Sequence, residues 1–131
     1  MRLLLDTNAY SKMRRGQQDV AQMVRAASHL YLSSVVVGEL LYGFRHGNRH
    51  DENLASLESF AAQADVTFIP VSWETAIQFG RVACSLRQKG TPIPLNDIWV
   101  AAHVFETGAQ LVSFDGHFQH VEGLFFKHLV L

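Results

Sequence analysis

The sequence predicts an α/β fold of three layers, α/β/α, with a central, mainly parallel sheet of four to five strands. Short apolar runs alternate along the chain with longer stretches of helical periodicity, which is the pattern of repeated βαβ units. Two of these runs, residues 3–5 and 66–69, carry no polar alternation, as expected for strands that are buried on both faces of a parallel sheet. No repeat, linker or low-complexity segment interrupts the chain, so we expect a single domain over residues 1–131.

Each predicted strand is a short apolar run that is bounded by polar or turn-forming residues. The expected strands are residues 3–5, 30–32, 66–69 and 110–113, with an edge strand at 124–127. Pro70 ends the third strand, because proline has no N–H group to donate to a neighbouring strand.

The helices are predicted from apolar residues spaced three and four apart between these strands. They are expected at residues 8–14, 19–27, 34–44, 53–64, 73–88 and 97–107. The expected N-caps are Ser33 or Ser34, Ser72 and Asn96. Such side chains accept a hydrogen bond from a free backbone N–H group of the first turn. The fifth helix carries a stripe of small and apolar residues that includes Cys84, and we expect this stripe to face the core.

Four acidic residues lie where an apolar segment is interrupted or ends, and these are Asp6, Glu39, Asp97 and Asp115. Carboxylates are rarely buried unless they are paired, hydrogen-bonded or bound to a metal. Two of the four come just after predicted strands, and the other two lie near the starts of helices. Because open α/β sheets bind ligands outside the carboxyl ends of their strands, all four can reach one edge of the sheet.

A group of carboxylates from separate elements suits hard divalent cations, since Mg²⁺ and Mn²⁺ prefer oxygen ligands and retain several waters. Two such ions can stabilise the attacking and leaving oxygens of a phosphodiester, and one can make a bound water acidic enough to form hydroxide near neutral pH. The four acids therefore indicate a cation site suited to phosphodiester hydrolysis.

Three of the acids have an ordinary structural explanation that is equally open. Asp6 can form an Asx turn, Asp97 can be a helix cap or a first-turn acid, and Asp115 can begin an Asp-Gly turn. Glu39 is harder to explain in this way, because no basic residue lies within a helical turn of it. It needs a metal, a partner from elsewhere in the fold, or a proton.

The bulk composition favours a globular, cytoplasmic protein. Hydrophobic residues make up 48% of the chain and charged residues 18%, which excludes a disordered chain. No apolar run reaches the ~18 residues of a membrane span, and the first residues do not form a signal peptide. Cys84 is the only cysteine, so no internal disulfide is expected, as is typical of a reducing compartment.

Net charge is only a weak argument against a nucleic-acid partner. The chain has 12 acidic residues and 11 Lys and Arg, and without the four acids above, eight acids face eleven bases, or +3. Bound cations would neutralise the four acids. The basic residues form clusters that are either a nucleic-acid surface or solvated helix ends. The clusters are Lys12, Arg14 and Arg15; Arg45, His46, Arg49 and His50; and Arg87 and Lys89.

Other catalytic patterns are weaker or missing. His46 and His50 have the i,i+4 spacing of a zinc site, but two turn-forming residues lie between them and no third ligand is evident. The chain contains no G-x-S-x-G, P-loop or G-x-G-x-x-G motif. His117 follows Asp115 closely enough to reach a bound substrate.

Four segments of the chain, taken together, resemble PIN-domain ribonucleases of the VapC type, which are the toxins of bacterial toxin–antitoxin pairs. Each segment carries one of the four acids, and the resemblance covers nearly the whole chain. The segments are LLDTN at residues 4–8, SSVVVGELLYG at 33–43, IPLNDIWVAA at 93–102 and LVSFDGHF at 111–118.

The resemblance implies a PIN-like fold and a metal-dependent endoribonuclease. The four acids would bind one or two Mg²⁺ or Mn²⁺ ions, and the hydroxyl groups of Thr7 and Ser113 would support these ligands or position water. The substrate would be single-stranded or loop regions of structured RNAs such as tRNA. Two residues depart from the family pattern: Phe114 would narrow the cleft, and the large side chain of Trp99 would line it.

The same resemblance implies two protein partners, a second copy of the chain in a homodimer and a cognate antitoxin that covers or invades the acidic cleft. The expected dimer surface is an apolar helix face, although packing of this face into the core is an equally open alternative. The face consists of Leu54, Leu57, Phe60 and Ala61.

Two other functions are also compatible with the sequence. The chain could be an RNA- or partner-binding module without turnover. It could also be a phosphatase or phosphotransfer domain that uses Asp6 as its nucleophile. Such domains commonly have a second aspartate two residues further on, where this chain has Asn8, and they need a nearby lysine, for which Lys89 is the candidate.

Overall fold

Five strands and six α-helices alternate along the computed structural model, which describes all 131 residues. The strands are β1 (Arg2–Leu5), β2 (His29–Ser33), β3 (Val66–Ile69), β4 (Gln110–Ser113) and β5 (Phe126–His128). The helices are α1 (Thr7–Arg14), α2 (Gln18–Ala26), α3 (Ser34–His46), α4 (His50–Ala61), α5 (Trp73–Lys89) and α6 (Leu95–Thr107). A short 3₁₀ helix, Gly116–His120, lies between β4 and β5. None of the helices is both long and apolar enough to cross a membrane.

The five strands form one parallel sheet in the order β3-β2-β1-β4-β5, which confirms the predicted α/β class. β2 and β3 lie on one side of β1 in the sheet, and β4 and β5 lie on its other side. The strand order therefore reverses between β1 and β4, and the carboxyl ends of these two strands border the crevice in which such sheets bind ligands. Asp6 directly follows β1, and Asp115 lies two residues beyond β4.

The prediction that residues 66–69 are buried on both faces of the sheet is wrong. β3 is an edge strand that pairs only with β2. Thr67 is exposed, and 50% of the surface of Phe68 is accessible. An apolar run shows that a segment can form a strand, but it does not show how many neighbours the strand will have.

The core fixes the elements that carry the acids. Leu4 of β1 and Leu111 of β4 are completely buried at the centre of the larger hydrophobic cluster. A smaller cluster between α5 and α6 contains Val82, Leu86 and Ile98. Burial of one such side chain is worth about 2 kcal/mol, so these contacts hold β1, β4 and α6 firmly in place.

Helix capping agrees with the prediction at two helices and differs at a third. The side chain of Ser33 caps α3 by accepting from the Val35 N–H group, and Ser72 caps α5 within a capping box. At α6 the cap position is taken by Pro94, so the prediction that Asn96 is the cap is wrong. The fixed φ of Pro94, −56° here, leads the chain directly into the helix. Asn96 lies in the first turn, where its side chain is free for another contact.

The apolar face considered for a dimer belongs to the core instead. α4 spans His50–Ala61 rather than the predicted 53–64, and its side chains Leu57 and Phe60 are buried against the rest of the protein. The edge of the Phe60 ring also packs on Tyr10 of α1, with the ring centroids 5.4 Å apart. This face is therefore unavailable to a second copy of the chain.

The predicted orientation of α5 is also wrong. Its buried side is formed by Thr75, Val82 and Leu86, and the Thr75 hydroxyl donates to Glu106 Oε1 of α6 at 2.6 Å. The predicted stripe lies on the outer side, where Cys84 is exposed. The pattern of small residues along α5 did not reveal that its contact with α6 uses a different face.

A buried histidine joins three elements of the fold. His103 of α6 is completely buried; its Nδ1 lies 2.8 Å from Ser33 Oγ, and its Nε2 lies 3.1 Å from the carbonyl oxygen of Pro70. Because a carbonyl can only accept, Nε2 carries the proton and Nδ1 accepts from the Ser33 hydroxyl group. Burial lowers the pKa of His103, which favours this neutral form. The hydrogen bonds tie α6 to the start of α3 and to the end of β3.

Replacement of His103 by alanine should lower the free energy of unfolding by about 2–3 kcal/mol near pH 8, because the buried Ser33 hydroxyl group and the Pro70 carbonyl group lose their partner. Urea denaturation measures the change, with His120→Ala as the control because His120 is exposed. The pKa of His103 is lower in the folded protein than in the unfolded chain. The stability that His103 contributes is therefore fully present above about pH 6.5, and it decreases as the pH falls below that value. A loss below about 0.5 kcal/mol near pH 8 would contradict the role given to this network.

Candidate functional site

The four acids line one cleft at the carboxyl edge of the sheet. The cleft has a volume of about 440 Å³, and most of the residues that line it are polar or charged. The acids reach it from four places: the residue after β1, the second turn of α3, the first turn of α6 and the loop after β4. The fold therefore brings together all four residues that the sequence singled out.

Asp6 is the most deeply buried of the four, with 7% of its surface exposed. It is the N-cap of α1: Oδ1 accepts from the Ala9 N–H group at 3.0 Å, while Oδ2 accepts from the Ser113 hydroxyl group at 2.5 Å. Burial, helped by the nearby charges of Asp97 and Asp115, raises the pKa of Asp6 to about 6 against the effect of these bonds. Asp6 is therefore a helix cap and also lines the cleft.

The hydrogen-bond partners of Glu39 lie in distant parts of the chain. Thr7 Oγ1 of α1 donates to Glu39 Oε1 at 2.9 Å, and Asn96 Nδ2 of α6 donates to Glu39 Oε2 at 2.6 Å. The carboxylate is thus held from both sides in a fixed orientation. Asn96 is a site residue that the sequence analysis missed; its only signal was its position beside Asp97.

Asp97, Asp115 and His117 form the tightest group in the cleft. One ligand atom from each lies within 4.8 Å of the others, and His117 Nδ1 is 3.1 Å from Asp115 Oδ1 and 3.5 Å from Asp97 Oδ2. Burial raises the pKa of Asp97, as do the charges of Asp115 and Glu39, whereas His117 lowers it. Asp115 also accepts from the His117 N–H group, so the predicted turn is present within the site.

Ser113 links two of the acids. Its hydroxyl group donates to Asp6 and accepts from the Asp115 N–H group at 2.9 Å. Asn8, which the sequence analysis did not count as a site residue, accepts from the Phe114 N–H group at 3.1 Å and holds the loop after β4 against α1. Thr7 and Ser113 therefore lie where supporting residues were expected, each bonded to an acid.

The cleft also contains positive charge. Lys12 and Arg15, from the end of α1 and the residue after it, line its wall, and neither forms an ion pair. Solvation of a helix end is therefore an incomplete explanation for this basic cluster.

The two bulky residues expected at the cleft do not line it: Trp99 stacks on Phe79 with ring centroids 4.0 Å apart, and Phe114 lies beneath the Lys12 ammonium group.

The residues of the cleft fit a hard divalent cation. Carboxylate oxygens, which suit Mg²⁺ and Mn²⁺, dominate the available ligands, and one imidazole nitrogen lies beside them. The raised pKa values of Asp6 and Asp97 are due partly to repulsion between the carboxylates. A bound cation would remove this repulsion and so favour the ionised form of every acid in the group.

Comparison with known proteins identifies relatives of the chain. A family model described as PIN domain matches residues 3–124. A protein of Haemophilus influenzae named Ribonuclease VapC2 is 31% identical, over 86% of both chains. A protein of Salmonella typhimurium named tRNA(fMet)-specific endonuclease VapC is 26% identical, also over 86% of both chains.

Two solved structures share the fold. The structure of VapBC2 from Rickettsia felis, bound to a DNA fragment from its promoter, aligns with a TM-score of 0.85 at 24% identity over 98% of both chains. VapBC-1 from nontypeable Haemophilus influenzae aligns with a TM-score of 0.84 at 22% identity, again over 98% of both chains.

Without metal, the stability of the protein should fall as the pH rises from about 4 to about 6, by about 3 kcal/mol on account of Asp6 alone. The folded state holds the Asp6 proton more tightly than the unfolded chain does, because the pKa of Asp6 is raised to about 6. Asp6→Asn should flatten this fall, since asparagine is an equally good helix cap without the charge.

Urea denaturation in EDTA at a series of pH values tests this expectation. Asp65→Asn is the matched control, because Asp65 is exposed and makes no side-chain hydrogen bond. If the free energy of unfolding changed with pH in the same way in Asp6→Asn and in the wild type, ionisation of Asp6 would not be the cause of the predicted loss of stability.

Proposed function

The chain belongs to the PIN domain family and, within it, to the VapC ribonucleases, and from this premise we propose that it is a metal-dependent endoribonuclease acting as the toxin of a toxin–antitoxin pair. Its reaction is the hydrolysis of phosphodiester bonds in structured RNA such as tRNA, the substrate class named for the Salmonella relative. The observation that carries the proposal is the polar cleft at the carboxyl ends of β1 and β4, in which four acids from four segments meet.

Asp6, Glu39, Asp97 and Asp115 would hold the cation, which is Mg²⁺ or Mn²⁺. When bound, such an ion lowers the pKa of a water molecule and offsets the negative charge that develops on the phosphate. The chain's other residues keep the carboxylates in place: Thr7 and Asn96 orient Glu39, and Ser113 holds Asp6 against the loop of Asp115. In this proposal Thr7 and Ser113 act by positioning.

The geometry gives less support to the alternatives. A phosphotransfer domain commonly has a second aspartate two residues after its nucleophile, but Asn8 holds that position and accepts a hydrogen bond from the Phe114 N–H group. The lysine considered for that reaction, Lys89, donates to the His120 carbonyl oxygen and does not line the cleft. The other alternative, an RNA- or partner-binding module, would use the same cleft. It differs from the proposed enzyme only in that it would not cleave RNA.

The proposed protein partner is a cognate antitoxin, as in the VapBC complexes that share the fold. An antitoxin would inhibit by covering the acidic cleft, where a cationic side chain could pair with the acids. We place the protein in the cytoplasm as a single domain, together with its RNA substrate.

We further propose a homodimer whose interface includes the outer side of α5. Trp73 and Ile77 are one helical turn apart on that side and are 84% and 52% exposed. Neighbouring exposed hydrophobic side chains that form a patch mark interaction surfaces, and tryptophan is enriched among the residues that dominate binding energy. The face on α4 is excluded because it packs in the core.

Purified protein should cut total tRNA into discrete fragments with Mg²⁺ or Mn²⁺ and should cut none in EDTA. Asp97→Asn should lower the rate at least about 100-fold, since even residues that only support a metal ligand commonly cost 10–100-fold. Gel electrophoresis of the RNA measures the rate, and Asp65→Asn is the control. Undiminished cleavage by Asp97→Asn that is free of contaminating nuclease would refute the proposal, and a folded wild type that never cuts would favour the binding module.

Trp73→Glu should convert the dimer to a monomer, because a buried unpaired carboxylate opposes association. Size-exclusion chromatography with light scattering reports the mass. Phe125→Glu is the control, because Phe125 is also exposed, at 50%. It lies just before the edge strand β5, whereas Trp73 lies just after β3, the strand at the other edge of the sheet. A monomeric wild type, or a Trp73→Glu protein that stays dimeric, would contradict this interface.

A further inference from the structure

A second cleft opens beside the acidic one and has the opposite charge. It has a volume of about 520 Å³ and is lined by α1, α3 and α4, a size within the usual range of small-molecule sites. The two clefts share wall residues, so they adjoin each other. The shared residues are Thr7, Ser11, Arg15 and Glu39.

Three arginines line the second cleft. Arg14 is held rigidly: its Nε donates to the Tyr10 hydroxyl group at 3.0 Å, its Nη2 donates to the Ser56 carbonyl oxygen at 3.2 Å, and it lies over the Tyr10 ring. A guanidinium group has five N–H donors, so Arg14 keeps donors free to face the cleft. Arg15 forms no hydrogen bond or ion pair through its side chain.

Arg49 is the third cation and is only loosely held. It pairs with Glu52, but both side chains are 68% exposed, and exposed pairs of this kind contribute little stability. Arg49 can therefore release Glu52 and bind another anion at a small cost in free energy. Apart from Glu39, which is already bonded to Thr7 and Asn96, no acid lines this cleft.

We propose that the second cleft binds the RNA backbone next to the scissile phosphate, with Arg15 and Arg49 contacting a flanking phosphate and Asn53 and Ser56 offering neutral donors. The inference rests on the proposed function, because it needs an RNA strand that crosses the acidic cleft. A strand leaving the metal site can pass the shared wall into the second cleft, where it meets positive charge. Arginine forks suit phosphate oxygens, and phosphate contacts position a strand without reading its sequence.

One position in this cleft allows it to be filled without disturbing the acids. Gly43 of α3 lines the second cleft and not the first, and a Cβ built on it meets no atom within 4 Å. Gly43→Gln therefore places a side chain in open space, and glutamine is a better helix former than glycine. Gly38→Gln is the matched control, since Gly38 is in the same helix, is equally open and lines neither cleft.

The test measures RNA binding separately from cleavage. All variants carry Asp97→Asn, so that the probe stays intact, and fluorescence anisotropy follows a labelled single-stranded oligoribonucleotide of about eight nucleotides in Mg²⁺ at several salt concentrations. Arg49→Gln and Gly43→Gln should each weaken binding about fivefold, and Arg49→Gln should reduce the salt slope by about 0.7, the value for one lost phosphate contact. Arg49→Lys should restore most of that slope, and a dinucleotide probe should bind all variants alike.

Arg87→Gln, a matched loss of one exposed cation on α5, and Gly38→Gln should bind as the parent does. Parent-like RNA binding and salt slope in both Arg49→Gln and Gly43→Gln would overturn the inference. If these variants instead lost affinity only for the antitoxin, the cleft would be a protein-binding site. Failure of the proposed function is distinguishable: the wild type would not cut RNA, whether or not these variants changed binding.

Discussion

The burial of several carboxylates close together is the constraint on which the arrangement of this protein depends. The parallel sheet brings Asp6 and Asp115 together at the point where its strand order reverses, and α3 and α6 add Glu39 and Asp97. Burying these charges side by side costs stability, because burial first, and mutual repulsion second, raise the pKa values of Asp6 and Asp97. The fold offsets this cost in two ways: the leucines of β1 and β4 are completely buried beneath the site, and hydroxyl, amide and backbone donors bind the carboxylate oxygens.

The supporting hydrogen bonds fix the carboxylates of the site in place. Glu39 is fixed between α1 and α6, and Ser113 joins the acid after β1 to the loop after β4. Behind them, the buried His103 ties α6 to the N-cap of α3, so the two helices that carry Glu39 and Asp97 keep their spacing. A site built in this way is preorganised, since little has to move when a cation arrives.

The strands and the four acids could be predicted from the sequence because each acid stands out against an apolar segment, and because parallel sheets place ligands at one edge. The partners of Glu39 could not be predicted, since Thr7 and Asn96 are 32 and 57 residues away and meet it only in the folded chain. The edge position of β3 and the outward face of Cys84 were missed for the same reason: both depend on which neighbour packs where. The adjoining basic cleft likewise depends on three helices meeting.

The most direct test of the central claim, that these acids form one cation site, is an anomalous diffraction map of crystals soaked in Mn²⁺ near neutral pH. A peak in the cleft, within bonding distance of carboxylate oxygens of Asp97 and Asp115 and close to Asp6, is the result expected from the geometry. No peak in the cleft at saturating Mn²⁺, or occupancy only at other places on the surface, would contradict the assignment of the site.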